Sequence, residues 1–295
     1  MYAGSRQFLI PGDGGAPPLR ALLHYPCAQP AAPTWFGPYE LDVSVDAPPA
    51  PGRFPLVLLS HGSGGSPLLY RSLSLALARN GYFVALPKHP GNSLGDDELA
   101  NTVENLRNRP RQLLRLLDAL LADPTLGAAI AEEPVTAIGH SMGGYTVLCL
   151  AGGEPWTRTR ERIGVPHDPR FGALVLMAPA CDFFLAPHAL QAVTAPILAL
   201  TAEHDELTPD AHIRAALAGV PDRSRVTIQM VPNAGHFSFL SPFPRAMHHP
   251  QFAPAQDPSG FDRKRFHQGL PAKVLQWIGE RRGEQCVRAA GIAGL

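Results

Sequence analysis

From residue 54 onward, short apolar runs alternate with segments of helical periodicity. Residues 54–60 are almost wholly apolar, the pattern of a strand covered on both faces. The run opens into His61-Gly62-Ser63-Gly64-Gly65. Pro67 then starts a predicted helix over 67–79, with Leu69, Leu73, Ala76 and Leu77 on its inward face and Asn80-Gly81 as its cap. Residues 82–86 read as the next strand, followed by the loop His89-Pro90-Gly91-Asn92. Residues 94–109 are polar, with a weak helical pattern over 98–106. Pro110 opens a strong helix in which Leu113, Leu114, Leu116, Leu117, Leu120 and Leu121 form a broad stripe, and Arg111 with Arg115 covers the outside. Further strands are predicted over 134–138, 171–177, 195–201 and 225–231. Pro271 opens a closing helix to residue 281, with Val274, Leu275 and Ile278 on one side.

Before residue 54 the chain is rich in proline and glycine. Residues 19–25 read as a strand ending at Pro26, and 40–45 alternate Leu41, Val43 and Val45 with Glu40, Asp42 and Ser44, as a half-buried strand does. Between them lies a loop carrying Trp35 and Phe36, read as packing residues. The alternation of strands and helices predicts an α/β fold, a mostly parallel sheet of eight strands with helices on both faces and right-handed crossovers. One domain is expected over 1–295: an antiparallel edge with loops over 1–53, a core over 54–282, and a tail over 283–295. Residues 166–169 and 242–258 read as proline-rich loops. In such a sheet, ligands bind beyond the C-terminal strand ends, so each chemical residue should follow a strand.

One junction meets that requirement with a nucleophile. Gly139-His140-Ser141-Met142-Gly143 follows the strand over 134–138 and precedes a helix beginning at Tyr145. The G-x-S-x-G spacing at a strand-to-helix turn describes a nucleophile elbow, which lifts the serine hydroxyl above the sheet edge. A serine hydroxyl needs a base, and His236 follows the 225–231 strand through Pro232-Asn233-Ala234-Gly235. An acid to orient that histidine is expected in Glu203-His204-Asp205-Glu206: Asp205 first, with Glu203 and Glu206 as neighbours and Asp182 further off. His204 is read as loop surface. An oxyanion needs preorganised donors, expected from the backbone N–H of Met142 and that of Ser63, with Gly62 beside it. His61 is expected to brace this loop.

Composition narrows the partners. The 295 residues are 45% hydrophobic, and 25 Lys and Arg balance 25 Asp and Glu. A net charge of zero argues against nucleic acid and anionic membranes as partners. The first residues lack a charged region before a long apolar one, and no stretch is long enough for a membrane span, so a cytoplasmic location is expected. Cys27, Cys149, Cys181 and Cys286 form no C-x-x-C pair and read as reduced thiols, with Cys149 packed in the helix after Ser141.

Ser60-His61-Gly62-Ser63-Gly64-Gly65, Lys88-His89-Pro90-Gly91-Asn92, Gly139-His140-Ser141-Met142-Gly143-Gly144 and Ala234-Gly235-His236-Phe237-Ser238-Phe239 together resemble the α/β-hydrolases of the dienelactone-hydrolase-like group. Within it they are similar to the platelet-activating-factor acetylhydrolase-like esterases. The resemblance spans roughly residues 19 to 280. It implies the α/β-hydrolase fold and a serine esterase needing neither metal nor organic cofactor, with Ser141, Asp205 and His236 as triad. Dienelactone hydrolase itself has cysteine at the elbow, so the dienelactone substrate does not carry over. The expected partner is a small or medium ester, its pocket drawn from Tyr70, His89, Phe183, Phe184, Phe237 and Phe239. Acyl transfer, amide or peptide cleavage by the same triad, and a non-catalytic ligand-binding protein stand as alternatives.

Overall fold

The runs that are apolar throughout form the middle of the sheet. The computed structural model describes residues 1–292, with side chains described to Arg282, so Cys286 lies outside the described side chains. Its strands are β1 Tyr2–Ile10, β2 Leu19–Cys27, β3 Ala32–Phe36, β4 Tyr39–Val45, β5 Leu56–Ser60, β6 Phe83–Lys88, β7 Val135–His140, β8 Phe171–Met177, β9 Ile197–Ala202 and β10 Val226–Val231. Its helices are α1 Arg71–Arg79, α2 Val103–Ala122, α3 Met142–Leu150, α4 Asp210–Leu217 and α5 Arg263–Ile292. The strands make one sheet in the order β10-β9-β8-β7-β5-β6-β2-β1-β4-β3. From β6 to β10 every pairing is parallel, while β2 runs antiparallel to both β6 and β1.

The order of strands decides where the site lies. The chain passes from β5 to β6 on one side, then returns to β7 on the other side of β5. The reversal leaves a crevice beyond the carboxyl ends of β5 and β7, where Ser60 is paired with Gly139. Side chains alternate across the sheet. Leu56 and Leu58 pack with Leu113, Leu116, Leu117 and Leu120 of α2 on one face, and Val57 and Leu59 pack with Leu73 and Leu77 of α1 and Val274 and Ile278 of α5 on the other. Among the described residues no helix is long and apolar enough to cross a membrane.

The sheet has ten strands rather than eight, because two elements of its N-terminal part, β1 and β3, lack a clear alternation. β1 contains Gly4, Ser5 and Arg6, yet it pairs with β2 along its whole length, from Tyr2 opposite Cys27 to Ile10 opposite Leu19. Trp35 and Phe36 lie in β3, at the sheet edge, and Trp35 is 68% exposed instead of packed. Pro110 sits inside α2, which starts after Thr102, whose hydroxyl caps the Asn105 N–H at 3.1 Å. Pro271 likewise lies inside α5, and that helix continues through residues expected to form a tail.

The tightest packing is at the start of α3. A Cβ at position 143 would lie 1.9 Å from the Ser60 carbonyl oxygen. Gly143→Ala should therefore cost about 3 kcal/mol or more, since backbone on both sides leaves no flexible side chain to yield. A thermal unfolding midpoint within a degree or two of the parent would contradict this packing.

Candidate active site

Ser141 is the single residue between β7 and α3. Its backbone has φ 54° and ψ −119°, a strained conformation for a side-chain-bearing residue. The neighbours explain why it persists. A Cβ at Gly139 would stand 2.2 Å from the Gly143 oxygen, and one at Gly144 2.4 Å from Pro179 Cβ. Strand, turn and helix thus meet backbone to backbone. The turn is held by Ser141 N donating to Met177 O (3.0 Å) and by Gly144 N (2.8 Å) and Ala180 N (2.9 Å) donating to Ser141 O. The Ser141 hydroxyl is bonded to no described residue.

His236 opens a short turn, His236–Phe239, after β10. Its Nδ1 lies 2.8 Å from Asp205 Oδ2, and both side chains are buried. Asp205 is three residues past the end of β9. Its Oδ1 accepts from the N–H groups of Leu207 (2.9 Å) and Thr208 (2.8 Å), and its Oδ2 from Thr208 Oγ1 (2.8 Å). Burial pushes the Asp205 carboxyl up, but the His236 and Thr208 hydrogen bonds outweigh it and hold the group below its ordinary value. An ionised Asp205 keeps the proton on Nδ1 and leaves Nε2 as the acceptor. The rival acids are engaged elsewhere or exposed: Glu203 takes the Asn233 N–H at 2.8 Å, Asp182 pairs with His212 at 2.8 Å, and Glu206 is exposed. His204 is exposed.

His140 connects this pair to the loop after β5. Its ring centroid is 4.9 Å from that of His236, and its Nε2–H donates to the His236 carbonyl at 3.0 Å. That leaves Nδ1 to accept from Tyr70 OH at 2.9 Å, and the Tyr70 oxygen in turn accepts from Gly62 N at 3.1 Å. Burial, then the nearby His236, lowers His140 to about 3, so it stays neutral and can play both parts. The Gly62 N–H is therefore committed, whereas those of Ser63 and Met142 have no acceptor among the described residues. The loop lies against Ser141: a Cβ at Gly62 would be 3.2 Å from Ser141 Cβ.

Behind the loop sits a cation without a carboxylate partner. Arg109 is wholly buried. Its guanidinium donates to Thr146 Oγ1 (3.1 Å), Asn92 Oδ1 (2.7 Å), Ser60 Oγ (3.2 Å) and the His61 carbonyl. Asn92 Nδ2 reaches Ser63 Oγ (2.8 Å) and Asp97 Oδ1 (2.6 Å), which ties the charge to the loop. Burial lowers Arg109 to about 9, still protonated at neutral pH. His89 completes the frame, with Nε2 2.9 Å from Ser60 Oγ and Nδ1 2.8 Å from Gln112 Oε1. His61 Nε2 accepts the His89 N–H at 3.2 Å and its Nδ1 donates to Gly62 O at 2.7 Å, so it braces the loop.

A cavity of about 440 Å3 opens beside this loop, with Ser63, Met142, Val103, Leu106 and Phe183 among its walls. The residues expected to line the pocket separate here. Tyr70, His89 and Phe239 are buried behind the site, where they support the loop or the core instead of forming this wall. Phe184 is buried in the core, 5.6 Å from Tyr145. Phe237 is half-buried and edge-on to His236 at 5.3 Å. Sequence reasoning missed Arg109, Asn92 and Thr208. The signal for Arg109 was its helical spacing, three residues after Leu106 and four before Leu113, which places it on the inward face. Cys27, Cys149 and Cys181 are buried free thiols.

Comparison with known proteins supports the fold. Residues 56–191 match the alpha/beta hydrolase family. A ferulic acid esterase from Streptomyces cinnamoneus superposes with a TM-score of 0.69 at 20% identity, over 92% of this chain and 88% of that chain. The chain has the α/β-hydrolase fold. Because 878 solved chains match, the likeness speaks to architecture and leaves the reaction to the site.

Two outcomes follow from the polar frame. Arg109→Leu strands four acceptors and should cost about 3 kcal/mol or more in stability, with Arg109→Lys a poor substitute because it lacks the planar fork. Burial holds His24, His61 and His140 at about 3, His267 at about 4 and His89 well below its ordinary value. The unfolded chain takes up those protons near pH 6.5 and the folded chain does not, so this stability is present above about pH 6.5 and drains as pH falls toward 3. Each imidazole adds to this loss, so chemical denaturation should show a clear drop in stability by about pH 5. A flat stability curve between pH 7 and pH 5 contradicts the neutral assignment.

Proposed function

We propose that the protein is a serine hydrolase that cleaves carboxylic esters of small to medium size through an acyl-serine intermediate. The observation that carries this reading is the buried His236–Asp205 pair, 2.8 Å apart, next to the elbow that presents Ser141. Ser141 Oγ attacks the ester carbonyl carbon while His236 Nε2 accepts its proton. The carbonyl oxygen becomes an oxyanion and is met by the N–H groups of Ser63 and Met142. As the tetrahedral intermediate collapses, the C–O bond to the alcohol breaks and His236 returns the proton to the leaving oxygen. A water then attacks the acyl-serine with His236 again as base, releasing the acid and restoring Ser141.

The arrangement of donors supports the reading further. Gly62 N–H is held by Tyr70, whereas Ser63 N–H has no acceptor among the described residues and is available to a developing charge. The cavity of about 440 Å3 suits a modest ester more than a long-chain lipid. The solved neighbour with the same fold is named as a ferulic acid esterase, an enzyme of the same general class. Within the esterases, the four motifs around Ser63, His89, Ser141 and His236 favour the dienelactone-hydrolase-like group and its platelet-activating-factor acetylhydrolase-like branch.

With p-nitrophenyl acetate, Ser141→Ala should lose about a thousandfold or more in kcat. Asp205→Asn should fall by a comparable factor, while Glu203→Gln and Glu206→Gln stay within about threefold of the parent. Equal loss in Glu203→Gln would move the acid. A parent that neither turns over the ester nor is labelled at Ser141 by a fluorophosphonate would remove the enzymatic reading.

A further inference from the structure

We propose that Asn105 is the recognition point of a polar subsite beside Ser63 and Met142, selecting esters whose acyl part carries a hydroxyl oxygen beyond an apolar body. This rests on the esterase reading above. Asn105 lies in the first turn of α2 and is 3% exposed. Its backbone N–H is taken by Thr102 Oγ1, but its side-chain amide is bonded to no described residue. Buried amides are nearly always paired, so an unpaired one asks for a partner. The group is not sealed in the core: Asn105 is one of the residues lining the cavity of about 440 Å3.

The chemistry of the walls defines what fits. The amide offers two N–H donors and an accepting oxygen, and a hydroxyl can use both kinds at once. Val103, Leu106 and Phe183 give apolar walls suited to a ring or short chain between the ester and that hydroxyl. A plain alkyl or phenyl acyl group would expel water and leave the amide unpaired. Arg158 is the one charged residue among those lining the cavity, so an oxygen is favoured over an ammonium at this position. Sites built to hydrogen-bond a substrate hydroxyl can reject an analogue lacking it by factors up to about 10^4 or more.

The test uses Ser141→Ala protein, so that the ester persists, and calorimetric binding of three probes. These are methyl 3-(4-hydroxyphenyl)propanoate, methyl 3-phenylpropanoate and the 4-aminomethyl analogue. The hydroxylated ester should bind at least about tenfold tighter than the phenyl ester, with the ammonium probe weakest. Asn105→Leu in the same background should bring the first two within about twofold, its unfolding midpoint confirming a folded protein. If that variant does not fold, Asn105→Ser serves instead. A hydroxyl preference that survives the substitution, equal affinity of the two esters, or no binding of the hydroxylated ester overturns the proposal. The esterase reading is judged separately, by kcat/KM of the Ser141 protein on the same esters. Turnover without hydroxyl preference removes the subsite alone, and hydroxyl-selective binding without turnover removes the reaction alone.

Discussion

The site depends on a steric fact: no side-chain atom separates the Ser60 carbonyl from the first turn of α3. Gly143 is what permits that approach, and Gly139 permits the matching one on the other side of the turn. With the carboxyl ends of β5 and β7 locked together in this way, Ser141 has no relaxed conformation available and keeps φ 54°. The strain costs about 1 to 3 kcal/mol, which the surrounding sheet and its two packed faces over-determine. The same contact sets the loop after β5 against Ser141, so the positions of its hydroxyl and of the Ser63 and Met142 N–H groups follow from one packing arrangement.

A second layer keeps that arrangement polar without making it wet. Arg109, His61, His89, His140 and Tyr70 are all buried, and each is satisfied by neutral oxygen or nitrogen partners rather than by an opposite charge. Desolvation keeps the imidazoles uncharged, and that is what lets each ring donate at one nitrogen and accept at the other. His140 shows the logic best. Its two hydrogen bonds run from the loop after β5, through Tyr70, to the backbone of His236, so that loop and His236 are fixed relative to each other.

Much of this was legible in the sequence where a residue's role follows from local pattern. Strands buried on both faces announce themselves as apolar runs, and Ser141 and Asp205 each follow such a run, while His236 follows the half-buried β10. Elements whose stability comes from tertiary pairing were not legible. β1 carries Gly4, Ser5 and Arg6 and is a strand because β2 lies beside it for nine residues. Pro110 and Pro271 looked like helix openers, but capping by Thr102 and the start at Arg263 place both inside helices. Tyr70 and His89 were expected at the pocket because it was to be built from loops over the sheet; both are buried in the frame instead. Arg109 escaped because the helical pattern before Pro110 is weak and was read to end at residue 106, short of the buried cation on α2; Asn92 escaped because a loop amide shows its partners only once the chain is folded.

The central claim is that Ser141 carries the acyl group, with His236 and Asp205 driving its transfer. The most direct measurement is acid quench of the protein within its first turnover of p-nitrophenyl acetate, followed by intact-mass analysis and peptide mapping. The account predicts one acetyl group per chain, located on Ser141, and its disappearance in His236→Ala. Steady turnover with no trapped acetyl, or an acetyl group on another residue of the site, would contradict it.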